Sequence, residues 1–210
     1  DNKGNLIYNL NQGFDVEAIT NGSLIDYTDD RTDPLKGIRF NYNYGDSPQQ
    51  DPDSHDYYVQ EFNLSGYIPI KKSSIALNWY RAGATVRKQG NTDLNSLIAL
   101  EKARCYANCD SVTINSRAKN QQAFNRYGSA GGLGGPTRLR SFAQNRYSGP
   151  QVAFRGIEYR WNFSDKETPI EYYIVSDTAI NFQLAFFYEE GSIADKSNDL
   201  WNEKKSSTGL

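Results

Sequence analysis

Run after run of this chain alternates apolar and polar side chains with a period of two, and that pattern restricts the fold most. In residues 37–45, Ile38, Phe40, Tyr42 and Tyr44 alternate with Arg39, Asn41 and Asn43. In 57–70, Phe62, Leu64 and Ile68 share a face, with Glu61, Asn63 and Ser65 opposite. The next run sets Ile75, Leu77 and Trp79 against Ala76, Asn78 and Tyr80. Further on, Ile157, Tyr159, Trp161 and Phe163 alternate with Gly156, Glu158, Arg160 and Asn162. Last, Leu184, Phe186 and Tyr188 alternate with Gln183, Ala185, Phe187 and Glu189. Successive side chains of a strand point to opposite faces, so each run predicts a strand with one apolar and one polar face.

Two architectures satisfy this pattern. A soluble sandwich turns the apolar faces into a core. A transmembrane β-barrel turns them to lipid and the polar faces to a wet lumen. The ends of the apolar faces carry Tyr or Trp, as interfacial girdles do, and the opposite faces carry Asn, Arg and Glu. Composition fits such a barrel: mean hydropathy is −0.73 while 13% of residues are aromatic, and a barrel strand needs apolar residues only at every second position. The most apolar stretch, 172–188, is broken by Ser176, Asp177, Asn181 and Gln183, so no membrane-spanning helix is expected.

Charge and chemistry-bearing residues exclude other classes. Lys and Arg number 23 against 25 Asp and Glu, a net charge of −2, which offers no basic field for nucleic acid. There is one His, His55, and no G-x-S-x-G, so no catalytic triad, metal site or cofactor is expected and the chain is not read as an enzyme. The pair Glu189-Glu190 could suggest acid–base work, but neighbours on a strand face opposite ways, and Glu190 reads as a strand-end residue. Cys105 and Cys109, the two cysteines, form either a short-loop disulfide worth about 2 kcal/mol or two free thiols. The chain starts at Asp1 and contains no Met, so an upstream segment is expected.

The connections read as asymmetric. Short polar turns at 69–74 and 164–168 alternate with longer ones at 46–56 and 87–150, the arrangement of an outer-membrane barrel with its long loops outside. Within the longest, Leu94, Leu97, Ile98 and Glu101 predict a short helix over 92–106. Five strands are clear, a sixth precedes Asp29, and a seventh begins at Ser207. The smallest transmembrane barrels need about eight. The expected fold is therefore all-β, a partial antiparallel transmembrane β-barrel of six to seven strands spanning residues 1–210, an interior piece of a larger one.

Residues 131–147 read G-G-L-G-G-P-T-R-L-R-S-F-A-Q-N-R-Y, followed by a strand bearing Glu158 and another ending F-F-Y-E-E-G. As an ordered set these resemble the C-terminal barrel of the BamA/TamA family, the bacterial surface antigen family of outer-membrane assembly and translocation proteins. After a Gly-Gly pair that family has Val/Ile-Arg-Gly-Phe/Tyr, and Leu139, Arg140, Ser141 and Phe142 hold those positions after Gly134 and Gly135. The stretch 29–37, D-D-R-T-D-P-L-K-G, is similar to the family's periplasmic D-x-R-x-N-P-x-x-G turn.

The resemblance implies a barrel of about sixteen strands, with loop 87–150 folded into the lumen. Upstream periplasmic domains and the closing strands would lie outside this chain. Arg140 would pair with Glu158 and Glu189 on the wall, beside Phe142. Where the family has Gly, Ser141 would be strained if the backbone there required glycine. The implied role is assembly or insertion of outer-membrane proteins, or translocation of protein across the outer membrane. Its partners would be outer-membrane lipid, unfolded clients and accessory lipoproteins. A dedicated secretion pore, an anchor for a fused N-terminal domain and a soluble β-sandwich binding module are the alternatives.

Overall fold

The computed structural model describes residues 19–49, 54–105, 110–162, 170–172, 175–178 and 182–210. Its centre is a seven-stranded antiparallel sheet. Strands β1 (Ile19–Thr28), β2 (Gly37–Ser47), β3 (Asp56–Ile70) and β4 (Ser73–Lys88) pair in sequence order. Helices α1 (Leu94–Arg104) and α2 (Ser111–Tyr127) follow, then a small hairpin of β5 (Gly132–Leu133) and β6 (Tyr147–Ser148). Strand β7 (Gln151–Asn162) rejoins the sheet beside β4; a second hairpin, β8 (Ile170–Tyr172) with β9 (Val175–Thr178), precedes β10 (Gln183–Ala194); and β11 (Lys205–Gly209) forms the last edge.

The alternating runs lie in β2, β3, β4, β7 and β10, and the register carries their faces across the sheet. One row of directly opposed residues runs Ile38, Gly66, Leu77, Ile157, Tyr188, and the next runs Phe40, Leu64, Trp79, Arg155, Glu190. Opposed residues share a face, so these rows define one side, here called outward. Ile38, Ile68, Leu77, Trp79, Ile157, Trp161, Phe186 and Tyr188 are all exposed on it, most of them by 40–50%. The opposite, inward side carries Glu61, Ser65, Ala76, Tyr80, Glu158, Asn162, Glu189 and Ser207, and there the buried cluster of Tyr80, Ala82, Ala84, Val152 and Phe154 meets Ala130, Leu133 and Leu139 of the long connection. The long connection thus packs on the more polar side, with the end of α2 touching it where Phe124 meets Tyr57, while the large apolar side chains of the other side stay exposed and the segment 195–204 covers that side only around Ala153 and Ser192.

Local chemistry explains two of the turns. In 29–36 the Asp29 carboxylate accepts the backbone N–H groups of Leu35 and Lys36, each at 3.0 Å. These bonds, that from Lys36 foremost, hold its carboxyl below the usual carboxylate range. Gly37, at φ 118°, ends this turn where a Cβ would lie 2.1 Å from the Tyr27 carbonyl oxygen, so only glycine fits. Between β3 and β4 the turn is Lys71-Lys72, with Lys71 in the left-handed region at φ 55°.

Three expectations need correction. The short-turn asymmetry fails at one connection: 163–182, from β7 to β10, leaves the same end of the sheet as the turns 29–36 and 71–72, yet it is long and contains the β8–β9 hairpin. The predicted turn 164–168 and Phe163 lie outside the described residues. The long connection holds two helices rather than one; α1 falls within the predicted 92–106, and α2 was not foreseen. Glu190 is not a strand-end residue, because β10 continues to Ala194.

Candidate functional site

The long connection returns to the sheet through a compact turn built on glycine. Gly134 and Gly135 adopt φ values of 106° and 102°. A Cβ on Gly134 would stand 2.1 Å from the Ala143 carbonyl oxygen. Backbone bonds from Gly134 N–H to Arg138 O and from Gly135 N–H to Phe142 O, both 2.9 Å, close the loop on itself. Leu139, also left-handed at φ 53°, is fully buried. It fits over Gly191 of β10, where a Cβ would come within 2.9 Å of the Leu139 Cδ1 and 2.6 Å of the Leu133 Cδ1. The absence of a side chain on the wall therefore makes the seat for the loop.

That seat presents Arg140 to the wall. Its Nη1 lies 2.6 Å from Glu158 Oε2 and its Nε 2.6 Å from Glu189 Oε1, while its backbone N–H donates to Glu189 Oε2 at 2.8 Å. Glu158 and Glu189 project from adjacent strands, β7 and β10, on the inward face. One guanidinium thus ties a loop to two strands, in geometry suited to its planar array of donors. The second oxygen of Glu158 accepts from Arg160 Nε at 2.7 Å, and Arg160 Nη1 lies 3.6 Å from Asp33 Oδ1 in the β1–β2 turn. The charges alternate in sign along this ladder, and every carboxylate in it has a cation.

The remaining loop residues divide their roles. Ser141 carries the hydroxyl the expected glycine would lack. Its N–H donates to Ser207 Oγ at 3.0 Å, Ser207 Oγ donates to Ser141 Oγ at 2.8 Å, and Ser141 Oγ donates to the Thr208 carbonyl at 3.2 Å. The left-handed residue is Leu139 and not Ser141, so the position carries no strain of the kind considered, and serine fastens the loop to β11. Phe142 packs edge-on to Tyr147, ring centroids 5.2 Å apart, against the buried cluster. The ring over Arg140 is instead Phe187, with its centroid 3.7 Å from Cζ. Arg138 lies over Tyr80 in the same manner at 3.5 Å.

Several participants escaped sequence reasoning: Arg160, Phe187, Ser207 and the Arg138–Tyr80 pair. Arg160, Phe187 and Tyr80 fall on the polar faces of the alternating runs, so parity puts them on the correct side without naming their partners. Cys105 is disulfide-bonded, and the chain's other cysteine, Cys109, lies outside the described residues. Compared with known proteins, the chain matches no family model and no curated sequence.

Proposed function

We propose that this chain is a segment of a transmembrane β-barrel of the bacterial outer membrane, of the surface-antigen type. Its role on this reading is the insertion of outer-membrane proteins or the translocation of protein across that membrane. One observation carries the first step: large apolar side chains stay exposed on one face across β2, β3, β4, β7 and β10 while the long connection packs through Ala130, Leu133 and Leu139 on the polar side. Bare apolar surface on that scale costs free energy in water and little in hydrocarbon. A soluble sandwich would need a second sheet about 10 Å from this face, whereas the chain spends its long connection on the other one.

The step from barrel to role rests on the resemblance, supported by the contact of Arg140 with Glu158 and Glu189. In such a barrel the loop would plug the lumen and hold the wall in register. Client strands would meet an openable edge, so that their backbone N–H and C=O groups are not left unpaired in lipid. The partners on this reading are outer-membrane lipid, unfolded client chains and accessory lipoproteins. Fractionation of the producing cell tests it. The protein should remain in the outer-membrane fraction through urea extraction and migrate faster on gels when unheated. Recovery from the soluble fraction, with the same mobility before and after heating, would contradict it.

A further inference from the structure

His55, the one histidine of the chain, sits where the end of α2 meets the sheet. Its ring stacks on Tyr57 of β3, centroids 4.7 Å apart, and meets the Phe124 ring of α2 edge-on at 4.3 Å. Both ring nitrogens are shielded from solvent, and among the described residues neither has a hydrogen-bond partner. The same end of α2 is tied to the segment 90–92: Gly90 N–H donates to Asn125 O at 3.3 Å, Asn125 Nδ2 to Asn91 O at 2.7 Å and Gln122 Nε2 to Thr92 O at 2.8 Å.

A neutral imidazole carries one donor and one acceptor, whereas an imidazolium carries two donors and a charge. In this clamp a proton would add an unmet donor and a charge shut off from water. The surroundings supply no ready counter-ion. Asp56 adjoins the histidine, but Arg87 Nη1 of β4 already lies 3.3 Å from its Oδ1, and Lys88 stands opposite it in the register. From α1, the charged group lining the cavity beside His55 is Arg104, which is itself a cation; Gln121 and Asn125 of α2 and Asn91 before α1 line it without charge. Asn125 Oδ1 accepts from Gln121 Nε2 at 2.8 Å. Burial pushes the His55 imidazole below the usual histidine range, against the opposing pull of Asn125 and Asp56. Attraction of a cation to the Tyr57 face would still leave both N–H groups without acceptors.

We infer that His55 is an acid-sensitive latch for α2: on taking a proton the imidazole leaves the Tyr57–Phe124 clamp for water, and this end of α2 lifts from β3. The long connection then has a docked state at neutral pH and a released one in mild acid. The sign follows from linkage. A folded-state value below the free one leaves the latch at full strength above about 6.5, and weakens it as pH falls from there through the clamped ring's own midpoint. The inference is independent of what faces the outward side of the sheet.

A single histidine gives a single titration to follow. Its ring resonances are recorded on the full chain from about pH 7.5 to about 4.5, on either side of the free imidazole value. Amide exchange at 122–127 is measured over the same range and corrected for intrinsic rates. The midpoint of His55 should lie below about 6.5, and exchange at 122–127 should rise relative to the β4 and β7 amides as the ring titrates. Linkage fixes the size: each unit by which the midpoint falls short of the free value multiplies opening, and so exchange, by about ten. His55→Phe keeps a ring that cannot titrate and should hold exchange at 122–127 flat across the range. Phe124→Leu opens the clamp and should return the His55 midpoint toward about 6.5. The latch would be overturned by a wild-type midpoint at or above that value, or by a ring that stays neutral throughout. Exchange that ignores the titration, an equal rise in His55→Phe, or a midpoint unmoved by Phe124→Leu would overturn it as well.

Discussion

Arg140 joins three segments that are distant in sequence, and its substitution should show the cost of separating them. Arg140→Ala would take from Glu189, 2% exposed, its ion-pair partner at 2.6 Å, and removal of one partner from a buried pair costs about 3–5 kcal/mol. The expected readout is a lower temperature for loss of the compact gel form; Arg140→Lys should recover only part of it, because a lysine cannot span Glu158 and Glu189 with a planar fork. Ser141→Ala should remove the contacts to Ser207 and Thr208 and cost about 1 kcal/mol, read by the same transition. Unchanged stability in Ser141→Ala would deny the serine its fastening role. Much of this site was legible because strand parity is strict: Glu158 and Glu189 share a face whenever β7 and β10 pair in the observed register. Ser207 and Phe187 as partners of the loop were not legible, since those contacts depend on how a connection of some sixty residues, 89–150, folds back.

At the scale of elements, alternation located five strands but gave no sign of α2. That helix buries only Ile114, Ala118 and Asn125, so its contact stripe is small and partly polar and leaves little apolar periodicity. Its ends were the available signal: Asp110 accepts the Thr113 N–H at 2.9 Å and the Thr113 hydroxyl at 2.6 Å, and Gly128 closes the last turn at φ 74°. Asp93 caps α1 similarly through the Ser96 N–H at 2.9 Å. Bonding to Thr113 and to Ser96 holds both cap carboxyls below their usual range. A lowered folded-state value means the caps stabilise the helices fully above the unfolded carboxyl value of about 3.9 and lose that contribution as pH falls through the folded values. Amide exchange in the first turns of α1 and α2 should therefore accelerate, relative to the sheet, as pH drops below about 4 after correction for intrinsic rates. Asp110→Asn should remove most of that dependence in α2. No relative change in either helix would contradict the capping assignment. The β7–β10 connection is long because the chain runs through the β8–β9 hairpin before β10 begins, which no turn signal in the sequence announces.

For the whole molecule, the decisive property is which side of the sheet is left bare. A sheet with one apolar face ordinarily buries that face, yet here Leu139, Leu133 and Ala130 are buried on the inward side while Leu77, Ile157 and Phe186 stay exposed. The alternation foretold two unlike faces and left their surroundings open between a sandwich core and lipid; the placement of the long connection favours lipid. Spin labels placed singly along β7, at positions 156 to 161 of the protein in lipid bilayers, test this most directly. Collision with oxygen, which concentrates in hydrocarbon, should be high at positions 157, 159 and 161 and low at 156, 158 and 160, with the period of the strand. Uniformly low oxygen collision along β7, or higher access to a water-soluble reagent at 157, 159 and 161, would contradict a membrane-facing outward side.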